Sequence, residues 1–121
     1  MTEREKRTQW FQSARFGMFL HWGLYAIPGR GEWYMSEARI PAEHYERYMQ
    51  EFTANAYDPK DWARRAKRAG MKYVVLTAKH HDGFCLFDSR LTEYKSTNAP
   101  CGRDLVREFV DAVRAEGLRV G

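Results

Sequence analysis

Cysteine is scarce in this 121-residue sequence, and the two that occur, Cys85 and Cys101, fall in no zinc-type spacing. A disulfide-stapled fold and a structural zinc site are therefore not expected, and both thiols read as reduced. Long hydrophobic runs are missing as well. Nothing approaches the roughly 18 uninterrupted apolar residues of a membrane span. The opening Met1-Thr2-Glu3-Arg4-Glu5-Lys6-Arg7 is charged where a signal peptide turns apolar. These absences predict a soluble, cytoplasmic chain with no membrane partner. Low-complexity tracts and Pro/Ser linkers are also lacking, while 44% of the residues are hydrophobic and 30% charged, so one globular domain is expected rather than disorder. The excess of one charge sign is small, 20 basic against 16 acidic residues for a net +4. The densest basic stretch, Lys60 to Arg68, alternates with Ala and Trp at helical spacing. That pattern is a solvated helix face, and no nucleic-acid partner is expected. Ser13, Ser36, Ser89 and Ser96 sit in no Gly-x-Ser-x-Gly elbow, which leaves acyl transfer unsupported.

What is present reads as alternating strands and helices. Residues 8 to 16 form a short amphipathic helix or turn stopped by Gly17, and Met18-Phe19-Leu20 is a strand ending at His21-Trp22-Gly23. A loop broken by Pro28, Gly29 and Gly31 carries Glu32-Trp33-Tyr34. Between Pro41 and Phe52, Tyr45, Tyr48, Met49 and Phe52 recur as one helical stripe. The next helix is punctuated at both ends, by Asp58 and Pro59 at its start and Gly70 at its stop, with Trp62, Ala66 and Ala69 as its buried stripe. Tyr73 to Ala78 is nearly continuous in apolar and β-branched residues, which predicts a parallel strand buried on both faces. A polar stretch then runs to Pro100, Asp104 to Glu116 is an amphipathic helix, and Leu118-Arg119-Val120 begins another strand. The order demands βαβ units and a parallel sheet. With about two and a half βα units present, the expected class is α/β, the amino-terminal segment of a larger architecture such as a barrel.

The polar residues of interest fall at the carboxyl ends of the strands, where parallel α/β folds keep their sites: His21 after the first strand, Glu32 and Trp33 in the loop beyond, His80-His81-Asp82 after the second. Adjacent strand residues point to opposite faces, so His80 and His81 are no natural chelating pair, and neither metal nor cofactor is expected. Imidazoles, a carboxylate and an indole around one mouth suit a sugar ring instead. Hydroxyls donate and accept, as Glu and His can reciprocate, and the C–H face of the ring packs on an indole such as Trp33. Trp22 reads equally well as core.

Phe16-Gly17-Met18-Phe19-Leu20-His21-Trp22-Gly23, Gly31-Glu32-Trp33-Tyr34, Lys79-His80-His81-Asp82-Gly83-Phe84, Arg103-Asp104-Leu105-Val106 and Gly117 to Gly121, in this order, resemble the amino-terminal part of the α-L-fucosidases of glycoside hydrolase family 29. The resemblance implies that residues 1–121 are part of a (β/α)8 TIM-like barrel of a retaining exo-hydrolase that removes terminal α-linked L-fucose from a glycan or a small fucoside. It implies that His21, Glu32, Trp33, His80 and His81 hold the fucose hydroxyls. A retaining glycosidase also needs two carboxyl groups roughly 5 Å apart. In this family the aspartate nucleophile lies on a later strand and the acid/base later still, so no catalytic residue is expected here. Asp82, inside the shared motif, and Asp88, in a polar loop, are poor substitutes. The isolated chain is then expected to be inactive, and its partners to be the remainder of the barrel or further copies of itself. A gene fragment, one part of a split enzyme and a free-standing remnant remain open, with a non-catalytic carbohydrate-binding or self-assembling module as the alternative.

Overall fold

The computed structural model describes residues 1–121. Helix α1, Glu3–Ala14, leads into strand β1, Gly17–Leu20. Single helical turns α2, Tyr34–Glu37, and α3, Ala42–Tyr45, occupy the long first loop, and a 3-10 segment, Glu46–Glu51, continues α3. Helix α4, Pro59–Arg68, precedes strand β2, Tyr73–Leu76, and helix α5, Leu105–Ala115, precedes strand β3, Arg119–Val120. The three strands form one parallel sheet in the order β1-β2-β3, with Gly17 opposite Tyr73 and Leu20 opposite Leu76. The α/β class with a small parallel sheet is thus as the alternation demands.

The helices start and stop where local chemistry directs. Asp58 Oδ1 accepts the Asp61 N–H at 3.1 Å and Asp104 Oδ1 accepts the Arg107 N–H at 2.9 Å, each satisfying a first-turn donor of α4 or α5. Gly70 ends α4 with φ +85°, a conformation a β-carbon disfavours.

Alternation along the strands sets two faces. Val74 and Leu76 are buried under α4 and α5 in a core with Ala63, Ala66, Leu105, Phe109 and Val113, and Met18, Leu20 and Val120 pack against it. On the opposite face Tyr73 and Val75 are only half-buried and Phe19 is 63% exposed. The expectation of a β2 buried on both sides therefore holds for one side, because α4 and α5 cover one face while the other meets only Trp10 and Phe11 of α1, at Tyr73.

Three local expectations shift. Helix α1 begins at Glu3 rather than near Thr8, since Thr2 and Glu5 close a reciprocal capping box ahead of it. The stripe from Tyr45 to Phe52 spans one α-turn and then the tighter 3-10 segment, where side chains three apart eclipse. Tyr45 and Tyr48 accordingly meet edge-on, ring centroids 5.2 Å apart. In α4 the buried residues are Pro59, Ala63 and Ala66, with Ala69 exposed as the C-cap; Trp62 is half-buried. Ala66 is thus buried as expected, while Ala63 takes the inward place expected of Trp62, which packs against Tyr57 and Trp22.

Candidate functional site

Parallel pairing delivers the ends of β1 and β2 to the same edge of the sheet, and Thr77 fastens them. Its N–H donates to the Leu20 carbonyl at 3.0 Å, and its hydroxyl meets the Trp22 N–H at 3.5 Å and the Tyr25 hydroxyl at 3.1 Å. The loop after β2 is closed at its base by the Leu86 N–H on the Ala78 carbonyl. At its tip the Gly83 N–H donates to the His80 carbonyl at 3.0 Å, a turn that needs Gly83 at φ +82°. The Phe84 N–H then donates to Asp82 Oδ1 at 3.1 Å, so the carboxylate turns back on its own loop.

Four aromatic rings converge on His80, all crossing it steeply. His21 and Tyr25 lie 5.6 Å away, Trp33 5.4 Å and His81 5.0 Å between centroids. Trp33 lies nearly parallel to His81, 4.6 Å apart at 28°. Trp33 and His81 also line a cleft of about 470 Å³ with Glu32, Asp82 and Arg39. The structure therefore brings His21, Glu32, Trp33, His80 and His81 to one mouth, although they come from three separate stretches of chain. Trp22 is not among them: it stacks on Tyr57 at 4.6 Å and 14° and packs with Phe52, as a core residue does.

Next to the mouth lie four buried polar atoms, two of them on tyrosines that strand-end reasoning did not name. Asp82 Oδ2, His80 Nδ1 and the hydroxyls of Tyr45 and Tyr94 are all buried without a hydrogen-bond partner in the protein. Burial pushes the Asp82 carboxyl up from its ordinary range, opposed by the Phe84 N–H, by the charge of His80 and by the Tyr45 hydroxyl. Burial raises the Tyr45 and Tyr94 phenols well above the usual tyrosine range, and the Asp82 charge adds to it. The available signal was the position of Asp82 inside His80-His81-Asp82-Gly83; the tyrosines, remote in sequence, gave none.

Asp88 lies elsewhere. Its carboxylate is exposed and takes Lys95 Nζ at 2.9 Å and the Thr97 hydroxyl at 3.1 Å, and these bonds hold it below the ordinary carboxylate range. Both cysteines are free thiols, Cys85 buried and Cys101 half-buried. No helix is long and apolar enough to cross a membrane. Chemically, the mouth offers imidazole nitrogens, one accessible carboxylate and an indole face, a set able to hydrogen-bond several hydroxyls while packing on a C–H surface.

A family model described as alpha-L-fucosidase matches residues 1–121. Among solved structures, alpha-L-fucosidase isoenzyme 1 from Paenibacillus thiaminolyticus superposes with a TM-score of 0.97 at 68% identity, over 99% of this chain and 28% of that one. An alpha-L-fucosidase from Bacteroides thetaiotaomicron, solved as a trapped covalent intermediate in complex with 2-fluoro-fucosyl fluoride, superposes with a TM-score of 0.90 at 42% identity, over 95% of this chain and 29% of that one. The tissue alpha-L-fucosidase of Rattus norvegicus is 38% identical over 130 residues, which cover 93% of this chain and 28% of the rat protein. The chain thus spans little more than a quarter of the length of these relatives.

Proposed function

The chain belongs to the alpha-L-fucosidase family, and from that premise we propose that it forms the amino-terminal segment of a (β/α)8-like barrel and supplies the sugar-holding side of a retaining fucosidase pocket. His21, Glu32, Trp33, His80 and His81 bind a terminal α-linked fucose. Glu32 and the imidazoles bond its hydroxyls, and the Trp33 indole packs against its apolar face. The observation that carries this reading is the convergence of those five residues at one edge of the parallel sheet. A bound hydroxyl in the wrong configuration leaves buried polar groups unpaired, so the same residues enforce the choice of sugar.

These side chains hold a ring but do not cleave it. The carboxylate nucleophile and the acid/base belong to later strands, and the trapped covalent intermediate of the Bacteroides relative supports retention. Without that pair the glycosidic barrier stays nearly untouched, so the 121 residues alone give no turnover.

In a polypeptide that also carries the remaining strands, Glu32→Ala or His81→Ala lowers kcat/KM on an aryl α-L-fucoside by the worth of one or two hydroxyl bonds, about 1 to 3 kcal/mol each. Steady-state kinetics checks it; wild-type values in both variants exclude the assignment.

A further inference from the structure

Leu20 is the last residue of β1 in register with β2, so the sheet no longer holds the chain beyond it, yet the His21 ring stands 5.6 Å from that of His80. One residue reaches both neighbours of His21. The Thr77 N–H donates to the Leu20 carbonyl at 3.0 Å, and the Thr77 hydroxyl oxygen accepts the Trp22 N–H over a longer 3.5 Å. The same oxygen shares a hydrogen bond of 3.1 Å with the Tyr25 hydroxyl, and the Tyr25 ring crosses that of His80 at 5.6 Å and 66°. Tyr25 has little slack of its own: it is buried, and a β-carbon on Gly23 would come within 3.2 Å of its ring. A hydroxyl can accept two hydrogen bonds and donate one, so a single Oγ1 serves both partners, which no aliphatic side chain can do. Trp22, Tyr25, Thr77 and His80 line a gap too small for a water molecule, so no solvent takes the place of that oxygen once it is removed.

We infer that Thr77 is a positioning residue of the sugar pocket: its hydroxyl sets the spacing of His21 and His80 by holding Trp22 next to the one and Tyr25 against the other. The backbone and the side chain of Thr77 divide the task. The N–H bond to Leu20, which any residue but proline could make, fixes where β1 ends, and the hydroxyl fixes the direction in which the chain leaves it. Two imidazoles from separate strands bond hydroxyls of one ring only while their separation is kept, and a displacement of about 1 Å is enough to weaken the pair. The consequence for turnover rests on the fucoside reading above, whereas the spacing of the two histidines does not.

Thr77→Val keeps the β-branched shape and the N–H bond but removes the oxygen, and Thr77→Ser keeps the oxygen. In the polypeptide that also carries the remaining strands, Thr77→Val is expected to raise KM for an aryl α-L-fucoside about tenfold with a smaller change in kcat, and Thr77→Ser to stay within about twofold of the wild type. Asp58→Ala, which removes the cap of α4, should lower the melting temperature and leave KM alone, so that lost stability is not mistaken for lost position. Tyr25→Phe deletes only the far end of the shared bond and should raise KM by a smaller factor than Thr77→Val. Carbon-13 labelling at histidine Cε1, with His21 and His80 assigned by substitution to Gln, reads the spacing without substrate: both resonances should move in Thr77→Val and keep their places in Thr77→Ser. Unmoved histidine resonances in Thr77→Val, a wild-type KM in that variant, or equal impairment in Thr77→Val and Thr77→Ser overturns the inference. Should Thr77→Val not fold, a wild-type KM in Tyr25→Phe overturns it instead. A wild type inert toward every fucoside, with histidine resonances that still respond to Thr77→Val, overturns the substrate reading alone.

Discussion

Gly17 illustrates how much one missing methyl governs. A β-carbon there would lie 2.3 Å from the Tyr73 ring, which crosses over the glycine from the neighbouring strand. The ring is not free to swing away, because Trp10 and Phe11 of α1 brace it with centroids 6.1 and 5.4 Å off, and Arg119 lies over Trp10 at 4.6 Å. Gly17→Ala is therefore expected to cost about 1 to 3 kcal/mol of unfolding free energy, the usual range for overpacking. Most of that cost should vanish in a Tyr73→Leu background. Denaturant midpoints for the two single variants and the double give the coupling energy directly. In the sequence Gly17 is legible only as the stop of the preceding helix. Its reason for being glycine lies across the sheet, 56 residues away in sequence, where no local pattern reaches.

Elements differ in how firmly they are held. Helix α5 buries Leu105, Phe109, Ala112 and Val113 and is capped by Asp104, whose other oxygen takes the Asp88 N–H at 3.3 Å and so ties the loop to the helix. Helix α1 buries none of its residues and is joined to the sheet mainly through Trp10 and Phe11. Local opening follows buried apolar contact, so amides of α1 should exchange on the order of a hundredfold faster than those of α5 and β2. Hydrogen exchange followed by mass spectrometry measures it, and equal protection would refute the ranking. The caps of α4 and α5 and the apolar run of β2 are strong local signals, and these elements are where the pattern puts them. The α2 turn, Tyr34–Glu37, is not legible because it has no side-chain cap, and the stretch after Tyr45 is legible as a helical stripe but not as a 3-10 segment. The site divides in the same way. His21, Glu32, Trp33, His80 and His81 follow from strand ends and a shared motif, whereas Tyr45 and Tyr94 enter only once the chain has folded over Asp82.

At the scale of the whole molecule, stability couples to pH through buried phenols. Burial raises the folded-state pKa of Tyr45, Tyr57 and Tyr94, and Tyr57 also donates to the Leu105 carbonyl at 2.7 Å. A raised pKa means stability fully present below the unfolded value, about 10 for tyrosine, and lost as pH climbs through the higher folded value. The melting temperature should therefore fall steeply only above about pH 10, with a shallower slope in Tyr45→Phe, as circular dichroism against pH will test. Asp82 obeys the same sign in the acid range: its contribution is present at low pH and lost as pH rises through its elevated pKa.

The Trp33–His81 stack has an optical consequence. Trp33 is 46% exposed and lies flat against an imidazole, whereas Trp22 and Trp62 are packed among Tyr57 and its neighbours and Trp10 sits under a guanidinium. Of the four indoles, Trp33 is thus the one whose surroundings would change if a saturated ring displaced water from its outer face. The mouth of the sheet carries its own chromophore, and occupancy there is readable as a colour shift without a label or a turnover event.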